Sequence, residues 1–469
     1  MNNKPPVKLF NTLSKQLETV QPLTADEVTL YTCGPTVYDH AHIGNLRTYI
    51  YEDILRRTLR AFGYRVQHVM NVTDVDDKTI ARSQEEYPDR DAHTALQQLT
   101  RHYEQVFLDD AQRLGIDLSD TTVTRATEHI DAMQDMIRAI PNKYRADDGI
   151  YFAIAEYEDY GVLEDVTLSN SQSRIHHDEY DKHDSADFAL WKRAEAGEPD
   201  WDFHIDGENV PGRPGWHIEC SAMATQYLGQ PFDIHTGGID LKFPHHENEI
   251  AQAKAAHNCD LATMFLHAEH LLVEGRKMSK RWNNFHTLRD IEHDEVDPLA
   301  FRLLVLQAHY RSQQNFTWDA LRAAAAHLES LRAFADLAFQ PLPGAPALAS
   351  AQAQSAISAA LADDLNTPQA VAELSRLVDS IEAVSPDDIH DFQTYLQWLD
   401  EVLGLQLSQR QDIDDESKQL LRQRQECREQ GDYETADQLR QQLHRQGIGI
   451  KDTAYGPVWY RLRRVEEFA

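Results

Sequence analysis

The sequence predicts an α/β chain in which a parallel sheet carries an insertion and is followed by an α-helical bundle and a small C-terminal α+β domain. Strand and helix patterns alternate over the first ~120 residues and resume after about residue 200. From Thr317 the composition becomes rich in Ala and Leu, which favours helices. The last segment, 418–464, holds ten Lys and Arg against six Asp and Glu, so it is locally positive.

The first strand–helix–strand unit is predicted from residues 28–72. Val28–Cys33 is a β-branched and aromatic run that stops at Gly34-Pro35. Residues 44–62 place apolar side chains at three- and four-residue spacings, and Gly63 favours a helix end. Val66–Val72 is typical of the next strand, so the unit indicates parallel strands joined by a crossover helix.

Later elements give the same kinds of signal. Phe232–His235 and Thr263–His267 are predicted strands that resume the sheet. A polar stretch at 176–184 indicates an exposed loop or insertion. The helical region is broken at Gln340–Pro346 and restarts at Asn366–Pro368, where a cap residue precedes proline at the first helical position.

The composition is that of a globular chain, with 469 residues, 41% hydrophobic and 26% charged. This length suggests about three domains with an ample core. No window approaches the roughly 20 apolar residues of a membrane helix, and the start lacks the apolar core of a secretory signal. Four cysteines cannot make a disulfide scaffold, so we expect a cytoplasmic protein with no membrane segment.

The formal net charge of −32 excludes a uniformly basic nucleic-acid binder. Of the 45 basic residues, 13 are Lys and 32 are Arg. One interpretation is a halophilic acidic surface for a salt-rich cytoplasm, where a Debye length of ~3 Å at 1 M screens self-repulsion. The other interpretation is an ordinary acidic protein.

A first candidate site is the segment His42-Ile43-Gly44-Asn45, at the predicted start of the first long helix. A helix N-terminus offers unpaired N–H groups and a partial positive charge, which suit a phosphate. Gly44 would let a nucleotide approach the backbone, and His42 and Asn45 can donate hydrogen bonds to phosphate oxygens. Alone, these four residues fit a plain helix cap as well.

A second candidate site is the basic segment 277–281, which reads KMSKR and follows a predicted strand at Leu266–Val273 and a turn at Glu274-Gly275. Two lysines three residues apart on a loop suit a clamp on polyphosphate, although a solvated basic loop would look the same. Together the two segments are what in-line attack on an α-phosphate needs, because charge develops on the phosphoryl oxygens and on the departing pyrophosphate.

A third candidate site is a metal centre built from two thiolates, an imidazole and a carboxylate. Its members would be Cys33, Cys220, His245 and Glu249. His245 and Glu249 are four residues apart and hence on one helical face, and the whole donor set suits zinc. Each cysteine also fits a core position, and the His–Glu pair also fits a surface pair. Spacing alone leaves His246 and Glu247 as alternatives.

Seven segments in fixed order carry a resemblance to one known family. They are YTCGPTVYD at 31–39, HIGN at 42–45, NVTDVDDK at 71–78, GWHIECSAM at 215–223, FPHHENE at 243–249, KMSKR at 277–281 and HYRS at 309–312. Together they resemble cysteinyl-tRNA synthetase, a class I aminoacyl-tRNA synthetase. The resemblance continues to Gly456–Trp459, covers nearly the whole chain and implies a Rossmann-type sheet.

The resemblance implies one zinc ion per chain on the four candidate ligands, and ATP with Mg²⁺ as a substrate. The implied ATP-binding residues are His42, Gly44, Asn45, Asp240, Lys277 and Lys280, of which His42, Asn45, Lys277 and Lys280 are catalytic. The implied cysteine-binding residues are Gly34, Thr36, Thr73 and Trp216. Asp240 also fits a solvated turn, and Trp216 an ordinary core aromatic. Asn45 and Arg281 depart from the generic signatures, so we expect altered rates and an intact reaction.

The implied reaction has two steps. The carboxylate of L-cysteine attacks the α-phosphate of ATP, and the terminal adenosine hydroxyl of tRNA(Cys) then displaces AMP. Serine is the competitor, and a small-group pocket separates such pairs by only ~1–3 kcal/mol. Zinc coordination would select the thiolate directly, because a thiol ionises more readily than an alcohol and is a softer ligand. A separate editing domain is then unnecessary.

The resemblance also implies a division of the chain and a tRNA-binding end. The predicted parts are the first half of the catalytic domain (1–120), a connective insertion (121–200), the second half of the catalytic domain (201–285), a stem-contact segment (286–315), a tRNA-binding helical bundle (316–404) and an anticodon-binding domain (405–469). Phosphate contacts are expected from arginines near the C-terminus, namely Arg422, Arg424, Arg428, Arg440, Arg445, Arg461, Arg463 and Arg464. Trp459 and Tyr460 could stack on bases, although a solvated helix face is the alternative. We expect a monomer.

Two other classes of function share part of this pattern. A cysteine–amino-sugar ligase would use the same catalytic core, but the related ligases resemble a shortened synthetase without the anticodon module. A non-catalytic tRNA-binding paralogue would be expected to lose phosphate or zinc residues, and none of the principal ones is missing. Cys259 and Cys427 have no motif around them and are expected to be structural or free thiols.

Overall fold

The computed structural model describes residues 6–164, 187–278 and 284–462. The predicted polar stretch at 176–184 lies outside the described residues, as do Lys280, Arg281, Arg463 and Arg464. The chain forms two compact units. The sheet unit comprises Met1–Pro298, Ala308–Trp318 and Ala362–Leu365, and the helical unit comprises Leu299–Gln307, Asp319–Leu361 and Asn366–Ala469.

The described strands of the sheet unit are β1 Lys8–Asn11, β2 Gln16–Thr19, β3 Glu27–Thr32, β4 Arg65–Val72, β5 Thr121–Arg125, β6 Lys143–Ala146, β7 Gly149–Phe152, β8 Phe188–Arg193, β9 His204–Ile205, β10 Glu208–Asn209, β11 Gly212–Pro214, β12 Phe232–Gly238, β13 Ala262–Ala268, β14 Leu271–Val273, β15 Arg276–Lys277 and β16 Gln314–Phe316. Its described helices are α1 Ile43–Ala61, α2 Asp77–Glu86, α3 Ala92–Arg113, α4 Ile130–Ala139, α5 Trp216–Leu228, α6 Glu247–His257 and α7 Leu288–His293. A helical turn, Lys242–His246, leads directly into α6.

The centre of the sheet unit is a five-stranded parallel sheet with strand order β13-β12-β3-β4-β5. This confirms the predicted α/β fold. The chain crosses from β3 through α1 to β4 on one side, whereas β12 pairs with the other side of β3. In an open α/β sheet, such a switch point leaves a crevice at the carboxyl ends of the two strands, where ligands bind.

Several predicted elements differ from the observed ones in their limits. Strand β5 falls in the predicted insertion, but it is the edge strand of the central sheet. Its sequence, TTVTR, is β-branched and polar, so it lacks the apolar run that marks a buried strand. The predicted strand Leu266–Val273 is divided into β13 and β14 by Glu269 and His270.

The inserted region forms a second, antiparallel sheet of order β11-β8-β7-β6, which reaches Pro214. Phe152 on β7 stacks on Phe188 on β8, with ring centroids 4.9 Å apart. Trp191 is fully buried and donates its indole N–H to the carbonyl of Val210 at 2.9 Å. Aromatic packing therefore supplies the core of this sheet.

The helical unit contains α8 Pro298–Leu306, α9 Trp318–Ala335, α10 Ser350–Ala362, α11 Thr367–Ser380, α12 Ile389–Leu403, α13 Asp415–Glu429, α14 Tyr433–Arg445 and the hairpin of β17 Ile448–Thr453 with β18 Gly456–Arg461. As predicted, Asn366 caps α11, and its side chain accepts from the N–H of Gln369 at 3.2 Å. In the part of the chain that is described, we find no helix both long and apolar enough to cross a bilayer.

Candidate active site and metal centre

A cavity of about 420 Å³ lies where the chain leaves β3, β12 and β13. The predicted site residues that line it are Cys33, Gly34, Thr36, His42, Gly44, Asn45, Trp216, Asp240 and Lys277. Thr73 is buried behind this wall and pairs with Thr36 through a parallel bridge. The residues predicted to hold ATP and cysteine therefore surround one space, with Lys280 outside the described residues.

The first candidate segment is both a helix cap and a cavity wall. His42 is the N-cap of α1, and its Nδ1 accepts from the N–H of Asn45 at 3.1 Å. An imidazole that accepts through Nδ1 carries its proton on Nε2, which remains a donor. Burial lowers the pKa of His42, against a smaller opposing effect of Asp240, and so favours this neutral form.

Gly34 is required by the close approach of β4. A Cβ at this position would lie 1.8 Å from the carbonyl oxygen of Asn71. The Gly34 N–H also donates to Oδ1 of the same Asn71 at 3.0 Å. The backbone between Cys33 and Thr36 is therefore fixed against the end of β4, which positions the wall of the cavity.

The second candidate segment reaches the cavity through Lys277 on β15. Its Nζ lies 3.2 Å from Nε2 of His270, the residue before β14. Met278 faces Gly44, since a Cβ on Gly44 would come within 2.4 Å of the Met278 methyl carbon. Lys277 of the second segment and Gly44 of the first segment therefore line the same cavity.

Arg47 anchors helix α1 to the residues before β14 and β16, and sequence reasoning missed it. It is 2% exposed, although it lies only two residues after Asn45. Its guanidinium donates to the carbonyl of Glu269 and, at 2.8 Å, to the carbonyl of Ser312. Helix α1 is therefore held to the residues that come just before β14 and just before β16.

The four predicted metal ligands meet in one buried cluster. One ligand atom each from Cys33, Cys220, His245 and Glu249 all lie within 4.8 Å of one another. The two sulfurs are 3.9 Å apart, and His245 Nε2 is 2.9 Å from Glu249 Oε1. That oxygen is buried and makes no hydrogen bond of good geometry within the described residues. Such a donor set suits a borderline-soft ion such as zinc.

The charges in this cluster favour ligation through two of its four residues, Cys220 and Glu249. The hydrogen bond from Cys33 lowers the pKa of Cys220 to about 6, whereas burial raises the pKa of Cys33 well above its usual range. Although burial opposes the shift, Glu249 and Cys220 raise the pKa of His245 to about 10. Burial likewise opposes the shift at Glu249, yet His235 and His245 lower its pKa to about 2. Cys220 and Glu249 are thus held in their anionic forms.

Sequence reasoning missed a ring of buried histidines around the cluster. His235 Nε2 lies 2.8 Å from Glu249 Oε2, and His246 Nδ1 lies 2.9 Å from His267 Nε2. A second four-residue combination, Cys33 with His235, His246 and Glu249, also brings its ligand atoms within 4.8 Å. His235 and His267 belong to apolar strands of the sheet, and that polar interruption was the available signal.

The predicted tRNA-binding arginines differ in their availability. Arg424 is only 3% exposed and lies 3.2 Å from Asp452, so it is a structural residue. Trp459 is 5% exposed and belongs to the core beneath the hairpin, which corrects the prediction that it stacks on bases. Tyr460 is 38% exposed, so its stacking on bases stays a prediction. The guanidinium of Arg461 donates a hydrogen bond to the carbonyl of Gln411 at 2.5 Å.

Three family models match the chain. The catalytic domain of class I (C) tRNA synthetases matches residues 19–326, a DALR domain matches 356–408, and the anticodon binding domain of cysteinyl-tRNA ligase matches 410–459. Among solved structures, methionyl-tRNA synthetase from Mycobacterium tuberculosis has a TM-score of 0.56 at 14% identity, covering 82% of this chain and 92% of that one. A LeuRS from Agrobacterium radiobacter has a TM-score of 0.57 at 11% identity, covering 83% and 85%. These neighbours show the class I synthetase fold.

Curated relatives extend the similarity over the whole length. The cysteine–tRNA ligase of Solibacter usitatus is 41% identical over 474 residues, covering 97% of this chain and 99% of its own. That of Chlamydia pneumoniae is 42% identical over 470 residues, covering 96% and 97%. With the cavity, the cysteine cluster and the family matches in agreement, the chain belongs to the cysteine–tRNA ligase family of class I aminoacyl-tRNA synthetases.

Proposed function

We propose that the protein joins L-cysteine to tRNA(Cys) in two steps, with ATP and Mg²⁺ as the activating substrate. One observation carries the proposal: a single cavity is lined both by Cys33 of the thiol cluster and by His42, Gly44 and Lys277 of the two phosphate segments. An amino acid held by its sulfur end and a nucleotide held by its phosphates would therefore meet in one place.

In the first step, a carboxylate oxygen of cysteine forms a bond to the α-phosphorus of ATP, and pyrophosphate leaves with the electron pair of the broken P–O bond. His42 can donate from Nε2, and Asn45 and Lys277 add donors near the phosphoryl oxygens. Lys280 would complete the clamp. Asp240, next to Gly238 on the cavity wall, is the proposed ribose partner. These groups favour the transition state because negative charge develops on the oxygens they face.

In the second step, a hydroxyl oxygen of the terminal adenosine attacks the carbonyl carbon of cysteinyl-adenylate. The new ester bond forms as the bond from that carbon to the phosphate oxygen breaks, AMP leaves with the electron pair, and the hydroxyl proton is released. No side chain acts as a nucleophile. The protein's part is to align two reactants, which alone supplies a large rate advantage.

We propose that Cys33, Cys220, His245 and Glu249 hold one zinc ion. The fit is supported by their mutual distances of at most 4.8 Å and by the Glu249 oxygen that lacks a hydrogen bond. When bound, zinc supplies a soft Lewis-acid site that distinguishes a thiolate from an alcohol. His235 contacts the other oxygen of Glu249 at 2.8 Å and so orients that carboxylate.

The substrate cysteine would lie between this cluster and the phosphate segments. Trp216 is 40% exposed and stacks on the His245 ring, with centroids 4.3 Å apart. Gly34 and Thr36 also line the cavity, with Thr73 buried behind them and bridged to Thr36. A flat aromatic face and a rigid backbone wall suit a small side chain that is selected by its sulfur.

We propose that residues 316–404 and 405–469 bind tRNA(Cys), which is the division that the sequence predicts. A cysteine–amino-sugar ligase is not favoured, because the anticodon-binding match extends to residue 459. We place the enzyme in a reducing cytoplasm, where its four free thiols would persist. The monomeric state and the halophilic character stay predictions.

The deciding experiment is exchange of labelled pyrophosphate into ATP, driven by cysteine and compared with serine. We expect exchange with cysteine only, its loss after chelation and its return with zinc. Equal exchange with serine, or full exchange by metal-free protein, would contradict the zinc proposal. Charging of tRNA(Cys), measured beside ligation to an amino sugar, tests the acceptor.

A further inference from the structure

A second cavity, of about 290 Å³, lies within the helical unit, and none of its lining residues belongs to the candidate active site. We call it the arginine cavity, and its described lining is Arg332, Gln406, Gln409, Arg410, Gln411 and Arg461. These residues come from α9, from the segment between α12 and α13, and from the end of β18. Its volume is at the lower end of the ~300–1,000 Å³ that is typical of small-ligand sites.

The arginine cavity has a wall in which one carboxylate serves two guanidinium groups. Asp336, directly after α9, is fully buried. Arg410 donates to both of its carboxylate oxygens, at 2.9 and 2.7 Å, and Arg461 Nε lies 3.6 Å from Oδ2. Neither arginine forms another ion pair within the described residues. One positive charge of this trio is therefore left over, in a chain of net charge −32, and it suits an anion.

The side chains of the cavity also have hydrogen-bonding capacity to offer. A guanidinium carries five N–H donors. Arg410 uses its Nε and Nη2 on Asp336, and Arg461 uses its Nη2 on the carbonyl of Gln411 at 2.5 Å. Within the part of the chain that is described, the Nη1 groups of both arginines make no hydrogen bond, and the amide of Gln409 makes none either. Several donors at one open cavity favour a ligand rich in acceptor oxygens.

The position of Arg461 is fixed without its help. The Gln340 side chain donates to the carbonyl of Trp459 at 2.8 Å and accepts from the N–H of Trp459 at 2.7 Å. The end of β18 is thereby attached to the turn that contains Asp336. The distance of 3.6 Å from Arg461 to Asp336 is too long for a hydrogen bond. Arg461 is thus pre-organised at the cavity, with Cζ 5.5 Å from the centre of the Trp459 ring, and the hairpin does not depend on it.

The arginine cavity is separate from the other arginine cluster of the same hairpin. Arg461 pairs with Ile448 at the open end of the hairpin. Asp452, the partner of Arg424 and Arg428, lies near its turn. A strand rises about 3.3 Å per residue, so the two clusters occupy different ends of β17 and β18.

We propose that the arginine cavity binds a phosphate group, with Arg410 and Arg461 as its charge partners and Gln409 as an additional donor. Guanidinium forks match the oxygens of a phosphate, which carries more charge and more acceptors than a carboxylate. Two sources supply this group, namely free inorganic phosphate and a phosphodiester of RNA. The proposal does not depend on the proposed function, because binding is measured without turnover.

The test measures binding of inorganic phosphate to the full chain by calorimetry, at an ionic strength held constant with sodium chloride. Arg461→Gln removes one guanidinium and leaves the Arg410–Asp336 pair in place. Gln409→Ala removes an exposed amide that has no described partner, so it tests the site even where Arg461→Gln lowers stability. Arg376→Gln is the matched control, because this exposed guanidinium of α11 does not line the cavity. Phosphate held by the active-site segments is common to all four proteins.

For Arg461→Gln we expect the affinity for phosphate to fall about tenfold, as for one lost contact to a charged group. Gln409→Ala should lower it about threefold, as for one neutral hydrogen bond. Arg376→Gln should match the wild type. Weaker tRNA(Cys) binding in Arg461→Gln, together with competition between tRNA and phosphate, would identify RNA as the source. Unchanged tRNA affinity beside the tenfold loss for phosphate would identify the free anion.

Equal phosphate affinity in the wild type, Arg461→Gln and Gln409→Ala would overturn the proposal. So would phosphate binding that requires Glu466→Gln and Glu467→Gln, because the end of the chain would then be the natural occupant. Failure of the wild-type protein to catalyse cysteine-dependent pyrophosphate exchange would contradict the proposed function and leave this result unaffected. The two failures are therefore distinguishable.

Discussion

Replacing Gly34 with Ala should damage the fold and the proposed cysteine site together. The new Cβ would lie 1.8 Å from the Asn71 carbonyl oxygen and 2.9 Å from Met70 Cγ, whereas ordinary contacts begin at 3.4 Å. Both neighbours belong to β4, and the clashing oxygen is backbone, so no side-chain rotation relieves it. The loop after Cys33 must therefore move away from β4 by about 1.6 Å, the difference between those two distances.

This displacement sets the expected magnitudes. Overpacking of this kind typically costs about 1–3 kcal/mol of unfolding free energy. Because Cys33 precedes Gly34 directly, a shift of about 1 Å at the cysteine site should lower kcat/KM by about 100-fold. We expect a lower melting temperature, a large loss of kcat/KM for cysteine in pyrophosphate exchange, and less bound zinc per chain.

Gly44→Ala is the control, because it makes the same chemical change against a movable neighbour. Its Cβ would approach the Met278 methyl carbon to 2.4 Å, and that side chain can rotate away. Ala is also favoured over Gly inside a helix by up to about 1 kcal/mol, so stability should be kept or raised. The KM for ATP should rise and kcat should fall modestly, because the Cβ would also lie 3.0 Å from the His42 ring. A Gly34→Ala enzyme with wild-type melting and wild-type kcat/KM for cysteine would refute the reasoning.

Three further predictions concern pH, metal and salt. Burial lowers the pKa of His68 to about 3, and its ring lies between the hydroxyls of Thr32 and Thr121 at 2.9 Å each. Below about pH 6.5 the imidazole is protonated in the unfolded chain but not in the folded one. The free energy of unfolding therefore falls as the pH drops towards 3. His68→Asn should remove up to ~1.4 kcal/mol per pH unit of that slope in urea unfolding between pH 6.5 and 5, and equal slopes would contradict this. Cys220→Ser should lower zinc content and cysteine activation, measured by metal analysis and exchange, while Cys259→Ser should change neither; equal zinc in both would count against the site. On the halophilic interpretation, amino-acid activation should persist in high salt, and a sharp loss above about 0.5–1 M, where screening saturates, would exclude it.

The local elements of the sheet could be predicted because each is encoded in neighbouring residues. The observed β3 and β4 each begin within one residue of the predicted strands. The agreement is close because a β-branched run that is stopped by Gly34-Pro35 marks a strand without information from distant residues. Strand order could not be obtained this way. The pairing of Leu30 with Ile234 joins residues about 200 positions apart, and hydrophobic patterns carry no signal for that choice.

The candidate site was predictable to the same limited extent. Spacing proposed His245 and Glu249 as a pair but left His246 open, and in the structure both rings lie at the cluster, with His246 Nε2 3.4 Å from Cys33 Sγ. His246 contacts His267 at 2.9 Å, whereas His245 contacts Glu249 at 2.9 Å beside Cys220. The burial of aromatic residues was equally beyond local patterns. Trp459 packs beneath its hairpin, and alternation along a strand does not say which of Trp459 and Tyr460 faces inward.

The surplus of acidic residues constrains how this chain can recognise RNA. Several arginines near the C-terminus are already engaged by protein groups, as Arg424 is by Asp452. Arg410 likewise donates two hydrogen bonds to the fully buried Asp336, at 2.9 and 2.7 Å. Among the predicted arginines that the structure describes, Arg422, Arg440 and Arg445 are exposed and form no ion pair. The salt dependence of binding scales with the number of phosphate contacts that such cations make. An enzyme of this kind would hold tRNA more by stacking and shape than by charge, so its RNA affinity would resist salt better than that of a basic protein. That resistance would be the functional consequence of the charge composition, whichever habitat produced it.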